Sequence, residues 1–289
     1  MAVRERSIVP GSLESERFDL LIEAGRGEKN YWRDLWRYRE LFYFLAWRDI
    51  LVRYKQTVIG IAWALIRPFL TMLVFTFIFS KVARLQAPGD VPYPLLVFAA
   101  MLPWQFFSTA LSEASNSLIG NANLISKVYF PRLIAPAGSV ITSFVDFLIT
   151  LGLMAGMMVW HGFLPDWRLL ALPIFMALAF GAAFGAGLWF CALNVRYRDF
   201  RYIVPFIIQF GIYLSPVGFS SNIVPEDLRL IYACNPMVGV IDGFRWALLH
   251  GRSPLSSTAL IASALVTSVL CASGICYFRR TEKTFADII

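Results

Sequence analysis

Long apolar stretches alternate with short polar ones along most of this chain. A membrane-spanning helix needs roughly 20 mostly apolar residues. Because the apolar residues run on without alternating, and because backbone groups in lipid must be satisfied within their own segment, each long stretch is predicted to be a helix. The fold class predicted is therefore an all-α integral membrane protein with six transmembrane helices, over residues 58–79, 93–111, 133–160, 169–193, 202–219 and 257–278.

Basic residues predict how these spans are oriented. Nineteen Lys and Arg lie in the N-terminal arm, the loops after the second and fourth spans, and the tail. Cytoplasmic regions are the ones enriched in Lys and Arg, so both termini are predicted to be cytoplasmic. The net charge of +7 is thus a signal of topology and predicts no nucleic-acid partner. Arg67 falls within the first span, and the outer loops hold Lys81, Arg84, Arg168, Arg229, Arg245 and Arg252.

The region before the first span has a helical periodicity of its own. Between residues 31 and 55, bulky side chains recur at steps of 4, 7, 4, 3 and 4, which places on one helix face Trp32, Trp36, Tyr43, Trp47, Ile50 and Tyr54. A basic, Trp-rich amphipathic helix is typical of the membrane interface. The alternative is a plain basic flank. The chain divides into a polar extension (1–30), this interfacial helix (31–56) and a transmembrane domain (57–289).

Residues 225–251 form neither a span nor an ordinary loop. The segment is apolar but is interrupted by Pro236 and Gly239, and it carries Asp242 and Arg245. Each apolar piece is too short to cross a bilayer, which predicts short re-entrant helices on the outer side. The alternative is an amphipathic external loop that lies flat.

Small residues recur at helical spacing in two spans. Gly152 and Gly156 form one pair, and Gly181, Gly185 and Gly187 form a second group. Such repeats allow neighbouring helices to approach closely, so both groups are predicted to serve helix packing.

Composition narrows the class further. The chain is 58% hydrophobic and 16% charged, whereas a soluble domain is about 25% charged. The first 30 residues are polar and lack the apolar core of a signal peptide, so no cleavable leader is expected. The cysteines show no metal-ligand spacing and are predicted to be small buried apolar residues: Cys191, Cys234, Cys271 and Cys276.

Known catalytic patterns are missing from the sequence. It contains no G-x-x-x-x-G-K-[ST] phosphate loop and no H-E-x-x-H motif, and it has two histidines. No catalytic residue, metal or cofactor is therefore expected in this chain. The spans carry few charges, namely Arg67 and Asp146, which argues against a proton-driven carrier or an ion channel.

Several motifs in order resemble one known family. They are RDILVRYKQTVIGIAWALIRPFL (48–70, with Arg48-Asp49, Arg53-Tyr54, Gly60, Trp63 and Pro68), NLISKVYFPRLIAP (123–136), NVRYRDFRYIVP (194–205), NPM (235–237) and EKTFADII (282–289). Together they resemble the membrane subunits of ABC-2 type exporters, specifically those that export O-antigen, capsule or teichoic acid. The resemblance runs from about residue 30 to the end.

This resemblance implies a mechanism that composition does not. Such subunits work as a homodimer with two copies of a separate ATPase subunit, which binds ATP and Mg²⁺, in the bacterial inner (cytoplasmic) membrane. They move an undecaprenyl-diphosphate-linked glycan outward from the cytoplasmic leaflet of the membrane. Membrane lipids are the remaining expected contacts of the subunit. O-antigen is the leading cargo, and capsular polysaccharide or teichoic acid is the alternative. Further alternatives are a drug or lipid exporter of the same fold, a membrane enzyme acting on lipid-linked sugars, and a membrane scaffold.

Four basic residues are candidates to receive the diphosphate of such a cargo. Arg48, Arg53 and Lys55 precede the first span, where each basic group favours anionic headgroups by roughly 1 kcal/mol. An ordinary topogenic collar is the alternative. Arg67 would cost roughly 2.5–3.5 kcal/mol at the centre of an isolated span. It is expected to face a wet cavity, a partner such as Asp146, or the diphosphate, unless it snorkels to the interface.

A glycan of variable sugars must slide, and aromatic rings offer it apolar faces without a fixed hydrogen-bond geometry. By resemblance, spans one and five should supply most of the channel lining. Steps of 7 and 3 in span one, and of 4 and 3 in span five, place the candidates on one face of each helix. They are Phe69, Phe79, Phe206, Phe210 and Tyr213, with Thr76 between the first two. The alternative is that these rings face lipid or pack.

The loop after the second span is polar and helix-compatible, and it resembles the segment that couples the family to its ATPase. A short docking helix is predicted near residues 116–127, with contacts from Asn116, Asn121, Ala122, Asn123 and Lys127.

Overall fold

A computed structural model describes residues 31–55, 60–164 and 166–285 of the chain. The predictions for residues 1–30 lie outside this part. Throughout the described residues the regular structure is helical. Five helices there are long and apolar enough to cross a membrane, so the protein is a multi-pass membrane protein; they are Ala62–Val82, Tyr93–Gly120, Ile134–Trp160, Trp167–Arg196 and Ser257–Thr284.

We number the α-helices in chain order. They are α1 (Tyr31–Arg37), α2 (Arg39–Lys55), α3 (Gly60–Thr76, continued by a π-helical turn, Phe77–Val82), α4 (Tyr93–Gly120), α5 (Ala122–Ile125), α6 (Ile134–Trp160), α7 (Leu172–Arg196), α8 (Phe200–Leu214), α9 (Glu226–Ala233), α10 (Pro236–Leu248) and α11 (Ser257–Thr281). The helix α4 runs to Gly120 rather than ending at 111, because its polar last turns stay helical until Asn121.

The sixth predicted span is shorter than expected. Helix α8 has 15 residues and is about 22 Å long, against a hydrocarbon core of about 30 Å. The backbone becomes extended at Ser215, and the turn after it is buried. Five spans are thus confirmed by length and composition, and the sixth crossing stays a prediction.

The predicted N-terminal segment is helical, but it is interrupted at Tyr38 and forms α1 and α2, and its place at a membrane interface stays a prediction. It packs beside the first half of α6, where a Cβ on Gly138 would lie 3.9 Å from the backbone nitrogen of Ala46. Tyr31, Leu45 and Ala46 are buried. The aromatic face predicted from the periodicity is largely exposed, at Trp32, Trp36, Tyr43 and Trp47.

Helix α4 lies at the centre of the bundle and packs against α3, α6, α7, α8 and α10. Helices α7 and α11 cross with their backbones in contact. A Cβ on Gly274 would lie 2.4 Å from the carbonyl oxygen of Gly185. A Cβ on Gly181 would meet Thr267, and one on Gly187 would meet Ala114. The predicted packing role is confirmed for this group.

Gly152 and Gly156 make no such contact within the described residues of one copy, where a Cβ at either would meet no atom within 4 Å. The prediction for the cysteines is wrong in part. Cys191 is buried, but Cys234 and Cys276 are exposed on the single chain. An apolar stretch in a membrane protein can face lipid as well as protein, so apolar sequence alone does not predict contact with other helices.

The segment between α8 and α11 forms two short helices, as predicted. Pro236 begins α10 instead of interrupting it, because proline is tolerated in the first helical turn, and the Asn235 side chain caps that turn. Gly239 brings α10 against Ser263 of α11. Helix α10 is buried between α4, α7 and α11 rather than lying on the surface. Its depth in a membrane stays a prediction.

Two ends of the bundle are named below by their helices. At the α5 end, helices α1, α2 and α5 pack with the end of α11 around a cluster that includes Leu45, Ile125, Phe130, Phe278 and Phe285. At the α10 end, α10 packs against the start of α4, and α9 packs against α10 and α11.

Candidate functional site

A polar pocket of about 400 Å³ opens at the α5 end, between α2, α4 and α6. It brings together two of the basic residues predicted to receive the cargo and two of those predicted to dock the ATPase. The lining also contributes carboxylates, hydroxyls and amides. The residues are Arg48, Asp49, Val52, Arg53, Glu113, Asn116, Ser117, Gly120, Asn121, Ser139 and Thr142.

Arg48 connects α2 to the turn between α4 and α5. Its Nη2 lies 2.7 Å from Oδ1 of Asp49 and 2.8 Å from Oδ1 of Asn121. The Asn121 side chain in turn donates to the carbonyl of Ser117. Asn121 therefore points into the pocket and is half-buried.

Arg53 is held by carboxylates from two other helices. Its Nη2 lies 2.6 Å from Oε1 of Glu113 on α4, and its Nη1 bonds Oδ2 of Asp146 on α6. The Tyr54 hydroxyl donates to the other oxygen of Asp146. Burial, reinforced by this hydrogen bond, raises the pKa of Tyr54, so the phenol stays protonated as a donor. We call Arg53, Tyr54, Glu113 and Asp146 the Arg53 cluster.

The other two predicted basic residues do not join this pocket. Lys55 is exposed at the end of α2, and Arg67 is exposed on α3. Among the described residues no ion pair joins Arg67 to Asp146, which pairs with Arg53 instead.

The aromatic residues predicted to line the channel lie on α3 and α8. Phe206, Phe210 and Tyr213 are 59%, 51% and 64% exposed. The ring centres of Phe206 and Phe210 are 4.4 Å apart. Phe69 is also exposed, whereas Phe79 is half-buried against Gly218. The stacked rings of Phe75 and Tyr213, 6.4 Å apart, join α3 to α8. We call the exposed sides of these helices the α3–α8 face.

A short helix does form in the predicted docking segment, as α5. Asn123 and Lys127 are exposed there, and Ala122 is half-buried. Asn116 still belongs to α4 and faces inward, where its Oδ1 accepts from Asn194 at 3.0 Å. The exposed residues of the segment are thus 120, 123, 126 and 127, and residues 128–129 continue this surface.

A junction around Glu282 was not predicted from the sequence. Its Oε1 accepts from the Arg132 backbone N–H at 2.9 Å and from the Tyr31 hydroxyl at 3.3 Å. The Arg132 guanidinium donates to the Glu282 carbonyl, and the Arg279 guanidinium lies 4.3 Å from the Tyr31 ring centre. Burial, together with Glu282, raises the pKa of Tyr31, which keeps its hydroxyl as a donor. The motif EKTFADII contributes to the family resemblance, but it has no hydrophobic periodicity from which this contact could be predicted.

Arg245, counted among the cations between the fifth and sixth spans, makes contacts that the sequence did not predict. It is fully buried in α10 and donates to the carbonyls of Leu96, Phe219 and Val217 at 3.1, 2.7 and 3.0 Å. Asp242, three residues earlier, is buried beside it. This i, i+3 pair in an apolar segment was the available sign of a buried polar network.

Fold and site together define a polytopic α-helical membrane protein whose polar pocket lies at one end of the bundle. No group of three or more His, Cys, Asp or Glu that could hold a metal occurs among the described residues. Residues 40–249 match the ABC-2 type transporter family, and the chain belongs to that family. This match confirms the resemblance found in the motifs.

Relatives align over nearly the whole chain. An O-antigen export system permease protein RfbA from Myxococcus xanthus is 29% identical over 259 residues, which cover 89% of this chain and 98% of the relative. An RfbA from Klebsiella pneumoniae is 28% identical over 86% of this chain and 95% of its own. The polysialic acid transport protein KpsM of Escherichia coli is 21% identical over 82% and 91%.

Proposed function

We propose that this chain is the membrane subunit of an exporter that moves a lipid-linked polysaccharide, first of all an O-antigen, across the bacterial inner membrane. The observation that carries the proposal is the near end-to-end alignment with permeases named for O-antigen export. Energy comes from a separate ATPase subunit that binds ATP and Mg²⁺. The working assembly is a homodimer with two ATPase copies, and both termini face the cytoplasm at the α5 end.

In this assembly the cargo enters headgroup first at the α5 end. Arg48 and Arg53 in the pocket, with Lys55 and Arg67 further along the chain, receive the undecaprenyl diphosphate. Arginine suits this role because its planar fork of donors matches phosphate oxygens in pairs. This role is supported by the position of the two arginines, which lie together in one polar pocket that opens at the surface of the protein.

The glycan then passes along the α3–α8 face. One copy of the chain leaves these aromatic rings uncovered, so the path is completed by α3 and α8 of the second copy. Tyr and Phe rings offer apolar faces to the C–H faces of successive sugars without fixing a register. Helix α8 with its following turn makes the sixth crossing, and α9–α10 enter the outer half of the membrane.

The ATPase docks on α5 and the exposed residues after it. A cysteine at Asn123 should cross-link to the ATPase subunit in the intact complex, because the side chain is exposed on the docking surface. A cysteine at Asn116, which faces inward, is the matched control and should not. A productive complex without a cross-link from any exposed position of this segment contradicts the docking assignment.

Deletion of the coding region in the source bacterium tests the function itself. Surface O-antigen should disappear while its lipid-linked form accumulates inside the cell, and the chain should co-purify with an ATPase subunit. Loss of capsule with O-antigen retained would identify the second candidate, a capsule exporter, which a more distant relative named for capsule polysaccharide export, CtrC of Neisseria meningitidis, favours. Normal surface glycans after deletion contradict both and leave a drug or lipid exporter.

A further inference from the structure

The Arg53 cluster assigns different positions to its two carboxylates. Both bond the same guanidinium, Glu113 through Nη2 and Asp146 through Nη1. Glu113 lines the pocket beside Arg53, whereas neither Asp146 nor Tyr54 does. The edge of Arg53 that faces the pocket is therefore the edge that Glu113 occupies.

Exposure and hydrogen bonding show which carboxylate can leave. The Glu113 side chain is 47% exposed, against 23% for Asp146. Asp146 is also held by the Tyr54 hydroxyl through its second oxygen. Asp146 and Tyr54 thus fix the far edge of the guanidinium, while Glu113 can swing into water at little cost.

Carboxylate and phosphate oxygens compete for the same donors of an arginine. We propose that Glu113 is an exchangeable counter-ion, which holds the pocket-facing edge of Arg53 until the diphosphate of the cargo replaces it. This inference rests on the proposed function. Asp146 and Tyr54 are positioning residues that keep Arg53 in place when Glu113 has left.

The exchange gives the pocket a means of selection. Membrane lipids with a single negative charge must compete with Glu113 for Arg53, and Asp49 adds further negative charge to the lining. A diphosphate carries more charge and more acceptor oxygens, so it displaces the carboxylate more readily than a monophosphate does. Glu113 is therefore a specificity-determining residue that excludes the common anionic lipids.

The test measures binding of two probes to the full chain in phosphatidylcholine nanodiscs. The probes are farnesyl diphosphate and farnesyl monophosphate, with inorganic diphosphate as a competitor that separates the headgroup from the isoprenoid tail. Glu113→Gln should bind both farnesyl probes about two- to fivefold more tightly, the range expected for losing a partly exposed ion pair. The gain should be larger for the monophosphate, so discrimination between the probes falls. Inorganic diphosphate should displace both.

Control variants separate exchange from mere stability. Arg53→Gln should abolish diphosphate binding, and Asp146→Asn should weaken it. Glu226→Gln removes a surface ion pair with Arg229, distant in sequence from the pocket lining, and should change neither probe. If Glu113→Gln accumulates poorly, Glu113→Ser replaces it, since it removes the charge and leaves the smaller side chain to water.

Each outcome decides one point. If the unmodified chain binds no farnesyl diphosphate, the proposed diphosphate site fails and this inference fails with it. If binding depends on Arg53 but neither Glu113 variant alters affinity or discrimination, the proposed function stands and the exchange alone is overturned. Weaker binding in both Glu113 variants also overturns it, because Glu113 would then support the site.

Discussion

Helices α3 and α4 are both long and apolar, yet the protein covers them very differently. In the most apolar stretch of α4, 72% of residues are buried, against 17% in the most apolar stretch of the span Ala62–Val82, which includes most of α3. The span with the lower burial is nevertheless the more apolar of the two. Apolarity therefore reports that a helix suits a membrane, and it does not report whether lipid or protein covers the helix.

The comparison extends to the neighbours of each helix. Helices α4, α7, α10 and α11 form the α4 core, in which α7 and α10 contact each other and both of the other two helices, through buried side chains and close glycine crossings. The α3–α8 face instead leaves large rings uncovered. The core is thus expected to determine folding, and the face is expected to determine transport. Changes in the first should lower the amount of protein, while changes in the second should lower export alone.

Arg245→Met should have the largest effect on the core. It removes the donor to three buried carbonyls and leaves the buried Asp242 without its neighbouring charge. Breaking such a buried charged network costs about 3–5 kcal/mol, so the variant should scarcely accumulate in the membrane. Quantitative blotting of membrane fractions measures this. Arg229→Met, at an exposed ion pair, is the control and should accumulate normally. Equal abundance of the two variants would contradict the role given to Arg245.

Gly274→Val should have the next largest effect, because its Cβ would meet the backbone of Gly185 at 2.4 Å. Overpacking of this kind costs about 1–3 kcal/mol. A lower thermal midpoint of the detergent-solubilised protein is the expected result. Gly156→Val is the matched control, since a Cβ there meets no atom within 4 Å. If both glycine variants melt alike, the close crossing of α7 and α11 is not what stabilises the core.

On the α3–α8 face, the triple change Phe206→Leu, Phe210→Leu and Tyr213→Leu keeps bulk and apolarity but removes the rings. Surface glycan should become shorter or slower to appear, progressively from single to triple variants, while membrane abundance and ATP hydrolysis persist. Trp160→Leu, an exposed ring outside this face, should leave export unchanged. Normal export by the triple variant would show that these rings only pack or face lipid.

Arg67→Ala should have the smallest effect of the four. It removes a charge from the first span, which eases insertion, so membrane abundance should be unchanged or slightly higher. Export should fall by a few-fold if Arg67 meets the diphosphate. Surface glycan measured beside membrane abundance checks this. A snorkelling arginine that faces lipid would leave export normal.

Much of the architecture was predictable because a spanning helix carries its own signal in a run of apolar residues. The partners of the charged residues were not. Arg53 lies 60 residues from Glu113 and 93 from Asp146 along the chain, and no local pattern connects them. The arginines themselves were found because they cluster beside a span. The burial of Arg245 was not predicted, since the count of basic residues between spans indicates their side of the membrane and not their contacts.

The Glu282 junction has a mechanical consequence. Glu282, which directly follows α11, bonds Tyr31 at the start of α1 and Arg132 in the turn before α6. The connection between α5 and α6 cannot be displaced at Arg132 without pulling on both other segments. Under the docking proposed above, a displacement of α5 that reaches Arg132 would therefore move the N-terminal helix and the end of the final span together.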